Sequence, residues 1–152
     1  LHTGHAPAAL VSGQTMVVKT VGDTLEKATL VPEAALSVTL GSGSGAGTRA
    51  KGIAQLRAEM LRAKEALAKP AGGARDLKRE VWLRVLRRET PLLVNAHKAV
   101  DIAAALRLQR EFGFRMWLEG ASEAPLLAEE IRKAKVPVIL HPTMARPGGD
   151  AE

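Results

Sequence analysis

The stretch Pro91-Leu92-Leu93-Val94-Asn95-Ala96-His97-Lys98-Ala99-Val100-Asp101-Ile102 decides how this chain is read. Its first half, over Leu92–Ala96, is a short, largely apolar run that reads as a buried strand. A helical pattern begins directly after His97, so the imidazole stands at the C-terminal end of a strand in a β-then-α unit. Parallel α/β folds gather their functional groups at that end. The unit then repeats. A helix over 99–111 leads to a strand over 114–118, a helix over 122–134 and a strand over 136–140. Each connection exceeds the dozen or so residues a parallel crossover needs. This alternation predicts the α/β class, with parallel strands and crossover helices covering the sheet.

Upstream, residues 15–21 (TMVVKTV) are β-branched and apolar and predict a strand. Val31-Pro32 reads as punctuation before a second strand over 34–40 (AALSVTL), which empties into the glycine-serine loop 41–47. A helix is expected over 51–69, because Ile53, Leu56, Met60, Leu61, Ala63 and Leu67 recur near a 3.6-residue period. Pro70 and Gly72-Gly73 would stop it. A further amphipathic helix is expected over 76–88, with Asp76 as N-cap and Val81, Trp82, Val85 and Leu86 on its apolar face. These elements are too few for a whole eight-stranded barrel, which takes about 250 residues. The alternatives are a small open α/β domain or part of a TIM (β/α)8 barrel.

The chain has 152 residues, enough for one domain with its own core. Hydrophobic content of 46% and charged content of 25% are those of an ordinary globular protein. Cysteine is absent, which excludes disulfides and thiolate chemistry and leaves histidine, carboxylates or a modified lysine as metal ligands. The net charge of +6 permits nucleic-acid contact, and the basic residues cluster over 57–69 and 75–88. Aromatics amount to only 3% and tyrosine is absent, so a stacking platform is not expected, and the basic stretches read as solvated helix faces. No run approaches the ~20 apolar residues of a membrane span. The start, Leu1-His2-Thr3-Gly4-His5, has no signal-peptide pattern, which leaves cytoplasm and periplasm equally open. Both ends read as cut, so one partial domain over 1–152 of a longer protein is expected.

Four constellations carry residues suited to chemistry. His97 with Asp101 comes first, since neutral imidazole serves as metal ligand or as general acid and base. Asp101, one turn on, would orient the ring or favour the helix N-terminus. The plainer alternative is an exposed histidine followed by a helix-start aspartate. His141-Pro142-Thr143-Met144-Ala145-Arg146 also follows a strand, and Arg146 suits a carboxylate or phosphate. An ordinary turn fits that segment equally well. Glu119 ends its strand and would share a rim with His97 and His141 as ligand or base, while Ser122 reads as a helix cap. Last, Gly41-x-Gly43-x-x-Ala46 matches a dinucleotide fingerprint only formally, because the acidic residue that the fingerprint needs does not follow. Thr48 and Arg49 beside it would suit an anion. His2 and His5 are expected to be exposed loop residues.

Taken in order, several segments resemble the amidohydrolase superfamily, specifically its imidazolonepropionase-like metal-dependent hydrolases. They are Ser12-Gly-Gln, Val17-Val-Lys-Thr-Val-Gly22, Val38-Thr-Leu-Gly41, Thr48-Arg49, Pro91-Leu-Leu-Val, Ala96-His97-Lys98 with Asp101-Ile102, Ala105-Leu-Arg-Leu, Glu111-Phe-Gly113, Glu119-Gly-Ala-Ser-Glu-Ala124 and Val136-Pro-Val-Ile with His141-Pro. The resemblance implies a TIM (β/α)8 barrel and a divalent metal, usually zinc, activating water against a non-peptide C–N bond. It assigns His97 to the metal; the residue reading adds His141 and Glu119 on the catalytic rim and Arg146 as a substrate-binding clamp. The partner implied is a small-molecule amide or cyclic amide, and a homo-oligomer is compatible with it. The chain departs from the pattern in three places. A Gly/Ser run replaces a lysine that some relatives carry after Leu40-Gly41. Glu119-Gly120 stands where many have histidine, and His141 where other branches often have glycine. The family's His-x-His strand and its last-strand aspartate lie outside the chain. The reading is therefore a segment of a metal-dependent amidohydrolase. The alternative is a non-catalytic α/β scaffold that has lost the metal.

Overall fold

The computed structural model describes residues 2–4, 9–68 and 76–140. Six strands form one mixed sheet in chain order: β1 (His2–Thr3), β2 (Val11–Val18), β3 (Thr29–Thr39), β4 (Leu92–Ala96), β5 (Met116–Gly120) and β6 (Val138–Ile139). β3 through β6 are parallel, while β1–β2 and β2–β3 are antiparallel. The sheet is therefore not parallel throughout, as the alternation predicted. The cause is the link from Val18 to Thr29. It holds only the single turn α1 (Leu25–Ala28), too little chain for a crossover, so β3 must fold back on β2. Pro32 lies within β3, in its exposed first half, where only β2 pairs with the strand. A proline fits there because no ladder on the other side needs its missing N–H.

The crossovers are helical. α2 (Arg49–Leu67) and α3 (Leu77–Leu86) join β3 to β4, and α4 (Ala99–Phe112) joins β4 to β5. A 3-10 turn, η1 (Ala124–Leu127), and α5 (Ala128–Ala134) join β5 to β6. Asp76 caps α3, its side chain accepting from the Arg79 N–H, as expected. α2 starts at Arg49, because Thr48 accepts from the Lys51 N–H and caps it. Gly113, at φ 74°, ends α4 in the left-handed conformation and delays β5 to Met116. The expected helix over 122–134 is split, with Pro125 in the 3-10 turn. The Pro70 and Gly72-Gly73 stop lies outside the described residues.

Register separates the two faces of the sheet. Leu36, Leu92 and Met116 form one row, and Val38, Val94, Leu118 and Val138 the next. Both rows belong to the main core with Leu56 and Met60 of α2, Trp82 and Val85 of α3, and Ile102, Ala105 and Leu106 of α4. The helices thus cover a single face, and each parallel strand lies beside its neighbour in sequence. A doubly wound sheet reverses strand order and places helices on both faces. One-sided winding without reversal is the barrel pattern, so the architecture is an α/β partial barrel.

Candidate active site

Rows on the face away from the helices alternate with the core rows. Ser37, Leu93 and Trp117 form one, and Thr39, Asn95, Glu119 and Ile139 the next, toward the C-terminal ends of the strands. Residues paired in register share a face. Three polar side chains therefore stand side by side on three parallel strands. Thr39 and Glu119 are buried and Asn95 is half-buried. Glu119 thus stands at the end of β5 with only Gly120 after it in the strand, and Asn95 joins it as a polar group not singled out by the sequence. The available signal was that Asn95 is the one polar residue in the strand Leu-Leu-Val-Asn-Ala.

His97 follows β4 and is exposed. Its Nδ1 lies 2.9 Å from the Ser122 hydroxyl. The ring lies so close to Gly120 that a Cβ on that residue would come within 2.6 Å of Cε1 and 3.0 Å of Nε2. Gly120 (φ 77°) and Ala121 (φ 45°) are consecutive left-handed residues, a conformation that costs an L-residue about 1–2 kcal/mol. The Ala121 N–H holds the turn by donating to the Ala96 and Glu119 carbonyls, at 3.1 and 3.0 Å.

Ser122 is not a helix cap, because the η1 N-cap position is Glu123 and has no side-chain cap bond. Glu123 instead caps a different helix. Lys98, the N-cap residue of α4, makes no cap bond of its own. The Glu123 carboxylate accepts from the Ala99 N–H at 2.7 Å and lies 3.5 Å from the Lys98 ammonium. That backbone hydrogen bond outweighs the desolvation of the carboxyl and, with Lys98 beside it, holds Glu123 below its ordinary pKa.

Asp101 does not orient His97. It is buried and accepts from Arg49 Nε through both oxygens at 3.2 Å. A Cβ on Gly41 would approach Asp101 Oδ2 to 3.2 Å, so the start of the glycine loop packs against the Asp101 carboxylate. Arg49 is thereby committed to a carboxylate rather than to an external anion, and Thr48 to its helix cap. His2 is also no loop residue: it lies in β1, half-buried, with Nε2 2.7 Å from Thr15 Oγ1. His141, Arg146 and His5 lie outside the described residues.

Protein zinc centres take three or more side-chain ligands. Among the described residues, no three histidine or acidic side chains gather where they could hold a metal ion. His97 and Glu119 alone do not make such a centre, so the described donor set does not fit the implied metal. No described helix is long and apolar enough to cross a membrane.

No family model and no curated protein matches the sequence. Among solved structures the chain is similar to an amidohydrolase from Thermotoga maritima MSB8, at 26% identity and a TM-score of 0.87. The match covers 95% of this chain and 42% of that one. It supports an amidohydrolase-like fold, and this chain spans about two fifths of the length of that structure.

Proposed function

We propose that this chain is a segment of an amidohydrolase of the imidazolonepropionase-like branch, acting on the non-peptide C–N bond of a small amide or cyclic amide. The observation that carries the reading is the polar row Thr39–Asn95–Glu119 beside His97, at the C-terminal ends of parallel strands in an amidohydrolase-like fold. In the whole protein, Asn95 would hydrogen-bond the substrate amide and His97 would orient the attacking water by accepting from it through the Nε2 lone pair. Glu119 would take a proton from the attacking water and return it to the departing nitrogen, so water adds across the C–N bond with no net proton change. His141 and Arg146 would join the same rim, as base and as anion clamp. A metal centre in the whole protein would need ligands from outside the described residues.

A second reading is favoured by one observation, the absence of a three-ligand cluster among the described residues. On that reading the domain is a scaffold that kept the fold and lost the metal. Purified full-length protein distinguishes the two. Hydrolysis of a panel of cyclic and acyl amides, with about one equivalent or more of bound metal, supports the hydrolase. No turnover and no bound metal supports the scaffold.

A further inference from the structure

Besides the Lys98–Glu123 ion pair, the turn from Gly120 to Glu123 touches the turn from Ala96 to Ala99 at five places, each at His97 or within two residues of it. Ala121 N–H donates to the Ala96 carbonyl at 3.1 Å, and Glu123 N–H donates to the His97 carbonyl at 2.9 Å. The Glu123 carboxylate accepts from Ala99 N–H at 2.7 Å. Ser122 Oγ meets His97 Nδ1 at 2.9 Å, and the missing Cβ of Gly120 makes room for the ring. The backbone on both sides of His97 is therefore held from the next loop, in addition to the Asp101 and Ile102 N–H groups of α4 that donate to the Lys98 carbonyl.

We propose that Ser122 and Glu123 are positioning residues for His97. Glu123 locks the backbone from which the ring departs. Ser122 accepts from Nδ1–H and so selects the tautomer whose Nε2 lone pair is free for the site. Two ring nitrogens cannot both be acceptors in neutral imidazole, so the partner of one decides the role of the other. Among the described residues, Nε2 has no hydrogen-bond partner while Nδ1 has Ser122. The choice of tautomer rests on the functional reading of His97; the clamp itself rests on geometry alone.

The effect of a serine lost from an exposed loop is local, so Ser122→Ala is expected to fold with an unchanged circular dichroism spectrum. The test is ¹⁵N NMR of the His97 ring in full-length, histidine-labelled protein, followed upward in pH until the ring shifts no longer change, with His97→Ala used for assignment. The wild type is expected to show the Nδ1–H tautomer. Ser122→Ala is expected to revert toward the tautomer mixture of free imidazole, and Ser122→Thr to keep the wild-type pattern. Glu123→Ala should broaden or shift the ring signals, and Glu123→Gln, which keeps an acceptor for Ala99 N–H, should restore them. Identical ring spectra in the wild type, Ser122→Ala and Glu123→Ala would overturn the proposal, as would an Nε2–H wild type. Failure of the hydrolase reading shows separately, as absent turnover with the clamp's spectral signature intact.

Discussion

The imidazole of His97 occupies the space that a side chain on Gly120 would fill. A Cβ there would stand 2.6 Å from Cε1, well inside van der Waals contact. The φ of 77° at Gly120 adds a backbone penalty for any other residue. Gly120→Ala is therefore expected to expel the ring from its place against Ser122 and to destabilise the fold by about 1–3 kcal/mol. Denaturant midpoints and the His97 ring shifts check this. An alanine variant with wild-type values for both would contradict the close approach.

The Arg49–Asp101 pair ties the loop after β3 to the first turn of α4. Asp101 is buried whereas Arg49 remains nearly half exposed, so removal of the carboxylate leaves a cation that water can still solvate. Asp101→Ala is expected to cost about 1–3 kcal/mol, as for hydrogen bonds to charged groups, rather than the larger loss of a fully buried pair. Urea denaturation measures it. A loss of about 5 kcal/mol would mean that Arg49 cannot reach solvent.

Acid should loosen the outer helices. Glu111 is held below its ordinary pKa chiefly by hydrogen bonds from Arg57 of α2, and Glu33 by those from Arg84 of α3. A carboxyl whose folded pKa is depressed binds protons more readily when unfolded. Its contribution is complete above the unfolded value near 4.5 and fades as pH falls through the folded value. Stability is thus expected to drop as pH falls below about 4.5, with a shallower drop in Glu111→Gln. Denaturation midpoints from pH 6 to pH 3 test the sign. An equal slope in the variant would remove Glu111 from the account.

The core row places Leu118 of β5 fully buried between strand neighbours and helices. Leu118→Ala is expected to cost about 2–5 kcal/mol. Calorimetry or denaturant melts of the variant check it. A change under about 1 kcal/mol would show that the helix-covered face is not the main core.

How much of this could be read from sequence depends on the range of the interaction involved. β4 and α4 follow from local periodicity, and their bounds over Leu92–Ala96 and from Ala99 onward match the expectation. The antiparallel return of β2 onto β3 was missed, because direction is set by the short link and not by the strand residues. Two-residue strands such as β1 and β6 carry no period to detect. The strand-end positions of His97 and Glu119 were legible because each follows or ends an apolar run. Their partners were not. Ser122 lies 25 residues from His97, and Arg49 lies 52 residues from Asp101. The i, i+4 spacing of His97 and Asp101 pointed to a pair that does not form. Only the register of three strands brings Thr39, Asn95 and Glu119 into one row.

Steady-state hydrolysis by the full-length protein, with and without His97→Ala, bears most directly on function. Folding of both proteins is confirmed first by circular dichroism, since His97 is exposed and its truncation leaves the core intact. A working imidazole at the rim predicts a loss in kcat of about 100-fold or more, in the range typical for a positioned acid–base group. Unchanged turnover in His97→Ala would contradict the account.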